Sequence, residues 1–242
     1  MEKMPPSFCL AVLVVYIMPS VIKCAFHKRK KSAICDREGY KKGISMKTRK
    51  KYKKIVADAG RTMLNEGLTV GTWGNISVRD PETNLVYISP SGMDYREIES
   101  DDIVVLDLDV NVVDGKRVPS IEKETHLAVY RARPDVNAVV HTHPLYSTVL
   151  GVNLMELPAV SEDFAQIVGD KIICSKYALP GTKELGVNVV AGLGEERNAV
   201  LLPNHGTVNV AEDMKTALIV CHVVEKTAQI YIMALNIGTP HL

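Results

Sequence analysis

From Tyr52 onward, Tyr52, Ile55, Val56, Ala59, Met63 and Leu64 recur at the three- and four-residue spacing of a helix with one buried face, and Gly67 ends it. Val70-Gly71-Thr72-Trp73-Gly74-Asn75 then reads as a glycine-punctuated turn. Two short strand-like runs follow, residues 76–79 and 85–89, and the Asp80-Pro81 break between them predicts a hairpin. Residues 103–107 and 110–113 form a second strand pair, closed by Asp114-Gly115. Pro119-Ser120 opens a helix that Pro134 stops, with Ser120 as the expected N-cap. Residues 136–141 make a strand of the buried type and residues 199–202 another, which ends in Pro203-Asn204-His205-Gly206. The last helix is expected over about 213–235, with Ala217, Leu218, Cys221, Val224, Ala228 and Tyr231 on one face. Helices intermixed with hairpin strands predict an α/β fold in which helices pack on a largely antiparallel sheet. No internal repeat or low-complexity linker follows Met46.

The chain of 242 residues is 46% hydrophobic and 24% charged, the balance of a globular protein with a sizeable core. Its net charge of +1 conceals an asymmetry. Residues 1–54 hold fifteen of the 29 Lys and Arg but only three of the 28 Asp and Glu, so the rest carries fourteen bases against twenty-five acids. A nucleic-acid binder needs basic residues clustered on a folded face, and here the folded body is acidic, so no nucleic-acid partner is expected. The apolar run 8–22 falls short of the roughly 20 residues of a spanning helix, and no small-residue cleavage site follows it. No membrane association is expected. Met46 stands directly before the first periodic helix, so residues 1–45 are read as an N-terminal extension outside the fold and residues 46–242 as one catalytic domain. Cys9, Cys24 and Cys35 lie in that extension; Cys174 and Cys221 sit apart among apolar neighbours without metal-type spacing. Isolated thiols of this kind point to a reducing, cytoplasmic setting.

The candidate chemistry begins at Val-Val-His-Thr-His-Pro. Alternate residues of a strand share a face, so His141 and His143 project the same way at a strand end and form a two-ligand metal clamp. His205, also placed directly after an apolar strand, could close a three-histidine site with one open position. Histidines at strand ends also serve as plain hydrogen-bonding groups, and the pair alone does not decide between the two. Glu122 lies in the first turn of the helix opened by Ser120, with His126 one turn further on the same face. Its carboxylate either complements the helix dipole or acts as acid and base beside a metal. His126 is then a partner that orients Glu122, or a core histidine. The small-residue turns at Gly74-Asn75, Ser89-Pro90-Ser91-Gly92 and Pro119-Ser120 offer hydroxyls and backbone N–H groups of the kind that hold phosphate without a basic patch.

Taken together and in order, Thr72-Trp73-Gly74-Asn75-Ile76-Ser77, Ser89-Pro90-Ser91-Gly92, Pro119-Ser120-x-Glu122, Val140-His141-Thr142-His143 and Asn204-His205-Gly206 resemble the class II aldolase/adducin family over residues 47–240. The likeness is strongest to its L-fuculose-phosphate aldolase branch. The resemblance implies a three-layer α/β/α fold around an antiparallel-rich sheet, assembled as a homotetramer with the active site at a subunit interface. It implies one zinc ion, or another divalent metal, on His141, His143 and His205, and Glu122 as the catalytic proton carrier. It puts the substrate phosphate on Gly74, Asn75, Ser91, Gly92 and Ser120, together with the Ile121 position, where the family's second Ser is replaced and only a backbone N–H remains. A Glu at position 122 favours a zinc-dependent aldolase, which makes or breaks a C–C bond in a ketose phosphate to give dihydroxyacetone phosphate and an aldehyde. The related 4-epimerases carry Asp there. Two departures bear on the substrate: Glu162 stands where the branch has a tyrosine from a neighbouring subunit, and the mobile C-terminal tail is expected to be truncated. The alternatives are a sugar-phosphate epimerase or dehydratase on the same scaffold, a zinc hydrolase, and a non-catalytic adducin-like binding module. The last is disfavoured by the presence of all three histidines and Glu122.

Overall fold

The computed structural model describes residues 46–241. The expected N-terminal extension 1–45, with its apolar run and three cysteines, lies outside them. The first periodic stretch is α1 (Met46–Asn65), followed by Gly67 in the left-handed conformation that a side chain would resist. The hairpin that follows is β1 (Asn75–Arg79) and β2 (Val86–Ile88), and β3 (Val104–Leu106) and β4 (Val112–Asp114) form the next. Val110, expected at the start of the latter strand, instead turns the chain at φ +73° inside a loop organised by Asp107.

Together with β5 (Ala138–Thr142), β8 (Ala199–Leu202) and β9 (Gly206–Ala211), these strands form one seven-stranded sheet in the order β4-β3-β2-β1-β5-β9-β8. All neighbours are antiparallel. A separate two-stranded pair joins β6 (Leu157–Pro158) to β7 (Lys171–Ile172). Strand β9, second from the sheet edge, has no counterpart among the elements the sequence predicts; its Thr207 and Asn209 interrupt the apolar run with polar side chains that are nonetheless fully buried.

Side chains alternate across the sheet and divide the core in two. Ile76, Val78, Ala138 and Val140 pack against α1 and the start of α6 (Met214–Ile237), through Val56, Met63, Ala217 and Cys221. Val139, Val208 and Val210 face the other way, onto α2 (Lys123–Ala132) and α5 (Lys183–Leu193), through Leu127, Val129, Leu185 and Val189. A third cluster lies where α3 (Leu145–Val152), α4 (Glu162–Ile167) and the middle of α6 meet β8, around Leu150, Phe164, Leu201 and Val224. Helix, sheet and helix thus form the three layers that the resemblance implies. By length and composition α6 could cross a membrane; its Ala217, Val220, Cys221, Val224 and Ala228 face is buried against the rest of the fold.

The helix after Pro119 starts later than expected. Glu122, not Ser120, occupies the N-cap of α2. Ser120 is tied back to the sheet by its N–H to the Ser89 carbonyl (3.1 Å), and its hydroxyl accepts from the Glu122 N–H (3.2 Å). A Ser hydroxyl satisfied two residues on makes a local turn rather than a cap.

Candidate active site

The sheet face that carries Val139 also carries His141 at the end of β5, and Asn75 is its register partner on β1. His143 lies just beyond the strand, where its N–H donates to the Leu68 carbonyl (3.1 Å) and holds the strand end against the loop after α1. His205 enters from the turn between β8 and β9, which left-handed Asn204 reverses. Gly206 is required there: a Cβ would lie 2.2 Å from the Thr142 carbonyl oxygen.

Three imidazoles therefore converge. His141 Nε2 is 2.9 Å from His143 Nε2 and 3.2 Å from His205 Nε2. The Nδ1–H of His141 donates to the Thr207 carbonyl (2.9 Å), which leaves its Nε2 lone pair facing the other two rings. Burial, then the nearby imidazoles, push His143 down to about 3, and burial with His141 pushes His205 to about 4. Both rings are thus neutral at pH 7, the form a metal needs. Nitrogen lone pairs that face one another repel unless a proton or a metal cation lies between them, and, against the cost of burial, the Glu122 carboxylate holds His141 above its ordinary value. Tetrahedral zinc with Zn–N bonds of about 2.0–2.1 Å spaces its ligand nitrogens by roughly 3.3 Å, close to what is found. The donor set fits a three-histidine metal site.

Glu122 closes the fourth side. Its Oε2 is 3.1 Å from His141 Nε2 and accepts from the Asn75 side-chain amide at 2.8 Å; its Oε1 is 3.7 Å from His205 Nε2. Oε1 is buried with no hydrogen-bond partner, so one carboxylate oxygen is directed into the site. Burial alone would raise the Glu122 carboxyl, but His141, the Asn75 amide and His205 outweigh it and hold the group well below the usual carboxylate range. The carboxylate makes no capping bond to α2; its oxygens face Asn75, His141 and His205 instead.

A cleft of about 300 Å³ opens on Glu122, His143 and His205, and Gly74, Asn75, Ser91, Gly92, Ser120 and Ile121 line it. All the residues expected to meet phosphate are thereby brought to one cavity. Two backbone bonds, Ser91 N–H to Val118 O (2.9 Å) and Ser120 N–H to Ser89 O, zip the two serine turns together. Gly74, at φ +71°, packs so closely that a Cβ would lie 2.6 Å from the His141 carbonyl oxygen, and the buried Tyr95 hydroxyl donates to its carbonyl (2.9 Å). Ile121 is 62% exposed, so an apolar side chain stands at the cleft wall. Glu162 is the exposed first residue of α4 and is not among the cleft residues. A second, apolar groove of about 380 Å³ adjoins the same histidines, lined by Val70, Trp73, Leu145, Val149 and Val152.

Sequence reasoning missed the hydrogen-bonding shell. Asn75, expected only as a phosphate contact, also holds Glu122. His126 Nε2 makes a short bond to Asn75 Oδ1, and its Nδ1 meets the Ser77 hydroxyl (2.6 Å), which in turn meets Tyr130 Oη (2.8 Å). The one member of this shell that the sequence offers as an orienting partner of Glu122 is His126; Asn75, Ser77 and Arg79 share one polar face of β1.

Three histidines at strand ends that could hold a metal ion, an inward carboxylate and glycine-serine turns meet around one cleft. Residues 54–232 match the class II aldolase and adducin N-terminal domain family, and the chain belongs to that family. It is 44% identical to a 5-deoxy-D-ribulose 1-phosphate aldolase of Bacillus thuringiensis serovar kurstaki, over 81% of this chain and 91% of the relative. An L-ribulose-5-phosphate 4-epimerase of Salmonella paratyphi B is 34% identical over 78% of this chain and 87% of its own. Among solved structures, an L-fuculose 1-phosphate aldolase superposes with a TM-score of 0.77 at 41% identity, covering 79% of this chain and 90% of the other.

Proposed function

We propose that this chain is a zinc-dependent aldehyde-lyase that reversibly cleaves a ketose 1-phosphate into dihydroxyacetone phosphate and an aldehyde. One observation carries the reading: Glu122, His143 and His205 line the same cleft as the glycine-serine turns, with His141 converging on them from behind. His141, His143 and His205 would hold the metal, which when bound supplies the Lewis acid that draws electrons toward the substrate carbonyl. Backbone N–H groups and hydroxyls at Gly74, Ser91, Gly92 and Ser120, with the Asn75 amide, would hold the phosphate and so fix the carbonyl end at the histidines. Ile121 contributes only its N–H to that cradle. When the C–C bond breaks, the electron pair remains on the carbon next to the carbonyl. The hydroxyl on the carbon that becomes the aldehyde loses its proton as that bond breaks; the Glu122 carboxylate would accept it and return it from Oε1 to the carbon next to the carbonyl, with the reverse transfers in the synthetic direction. No lysine is needed to form a covalent intermediate.

The 4-epimerase and dehydratase readings share the same first contacts, and fold likeness cannot separate them. Glu at position 122 favours the aldolase. A non-catalytic binding role would leave a complete donor set idle, and a zinc hydrolase would leave the phosphate-type turns idle. The exposed apolar residues Val70, Leu145, Val149 and Val152 of the adjoining groove support a homotetramer with the site at a subunit boundary. The buried free thiol of Cys221 fits a cytoplasmic setting. Residues 46–242 would form the catalytic domain. The test is incubation of zinc-loaded protein with a panel of ketose 1-phosphates and 5-phosphates. Dihydroxyacetone phosphate release from a 1-phosphate is expected; epimer formation without release would establish the epimerase instead.

A further inference from the structure

The buried bonds behind Glu122 form one continuous line: Tyr130, Ser77, His126, Asn75, Glu122. Both ends limit which way the protons can point. Asn75 Nδ2 donates to Glu122 Oε2, so its Oδ1 is turned toward His126. A carbonyl oxygen accepts only, so His126 must carry its proton on Nε2. His126 is fully buried, and burial drives it down to about 3, so it holds a single proton and its Nδ1 is an acceptor. Ser77 therefore donates to Nδ1 and accepts from the Tyr130 hydroxyl. Every donor in the line points at the active-site carboxylate.

We infer that His126 is a positioning residue that locks the Asn75 side-chain amide with its NH2 group toward the cleft, and through that amide fixes Glu122. The lock matters because an amide is nearly symmetric in shape and can turn over. In the locked orientation Asn75 presents two N–H bonds: one binds Glu122 Oε2, and the other is free for the cleft, which Asn75 also lines. Turned over, the same residue would set a carbonyl oxygen against the carboxylate and another lone pair toward an anionic ligand. One ring proton on His126 thus decides whether Asn75 attracts or repels both. His126 is not among the cleft residues and hydrogen-bonds Asn75 and Ser77, so it acts on Glu122 through Asn75.

The inference rests on the proposed role of Glu122, and its tests separate the two. Neutron diffraction from deuterium-exchanged, metal-loaded protein reads the line directly and does not depend on turnover. The expected result is deuterium on His126 Nε2 and on an Asn75 nitrogen facing Glu122; deuterium on Nδ1 with the Asn75 oxygen facing Glu122 would overturn the lock. The second test uses exchange of the carbon-bound proton of dihydroxyacetone phosphate in D2O. His126→Phe should slow it about 10- to 100-fold, the usual cost of removing a group that orients a site residue, while metal stoichiometry stays the same. His126→Gln, whose amide N–H can reach Asn75 Oδ1, should recover much of the loss. In a Glu122→Gln background and at saturating dihydroxyacetone phosphate, His126→Phe should cost little further in exchange rate, since the carboxylate it serves is gone and any effect through ligand binding appears only in KM. An equal loss in both backgrounds would make His126 a packing residue and overturn the inference. If His126→Phe does not fold, the Gln variant and the neutron map still decide. Absence of exchange in the wild-type protein would count against the aldolase reading and leave the neutron result to stand by itself.

Discussion

His143 supplies one of three convergent nitrogens, and an open tetrahedral site needs three protein ligands. His143→Ala leaves two and is expected to lose most of the bound metal, measured by elemental analysis of the purified protein. The ring is half-exposed at the strand end, so the metal-free variant should melt close to the metal-free wild type. Undiminished zinc would remove His143 from the ligand set. At this scale the sequence was most legible where chemistry constrains spacing: His-x-His on a strand must share a face, and a glycine after His205 is needed where a Cβ would strike the Thr142 carbonyl. The roles of Asn75, Ser77 and Tyr130 were hidden, because a hydrogen bond such as Ser77 to His126 joins residues 49 apart in sequence. Neither periodicity nor local composition carries such a pairing.

The element that sets the angle of the His143–Pro144 turn is α3, which begins directly after it. Pro144 occupies the N-cap of α3 and has no side chain to cap with. Glu225 on α6 does the work instead, accepting from the N–H groups of Tyr146 (2.7 Å) and Ser147 (2.9 Å) and from the Ser147 hydroxyl (2.6 Å). Glu225→Ala should cost about 0.5–2 kcal/mol, the usual range for a lost cap. At about 2–4 °C per kcal/mol for a domain of this size, the melting temperature should fall by several degrees, with metal still bound. A melting temperature equal to wild type would mean that water caps α3 equally well. The element pattern was legible where one face alone is buried, as in α1 and the hairpin of β1 and β2. It failed at β9, which is buried on both faces and whose Thr207 and Asn209 are paid for by bonds to each other, to Thr142 and to the Val140 carbonyl. It also failed at the start of α2, because Ser120 meets its needs through a local turn and a bond to Ser89 that no spacing rule foresees.

For the whole molecule, the described core is closed by contacts among residues after Met46, with α1 packed on the sheet through Val56, Ala57 and Met63. A chain beginning at Met46 is therefore expected to fold, bind one metal ion and turn over substrate as the full chain does, as judged by circular dichroism melting, metal stoichiometry and kcat. Loss of soluble expression or of metal would show that residues 1–45 belong to the working protein. The central claim is that this fold brings one carboxylate to a three-histidine metal site in order to move a proton next to a carbonyl. It is tested most directly by proton NMR of dihydroxyacetone phosphate in D2O with zinc-loaded wild type and Glu122→Gln, alongside zinc stoichiometry for both. The account predicts stereospecific exchange of one carbon-bound proton by the wild type. It predicts exchange about 10²–10⁴-fold slower in the Gln variant, the usual worth of a positioned acid–base group, with zinc unchanged. No exchange by the wild type, or undiminished exchange by Glu122→Gln, would contradict it.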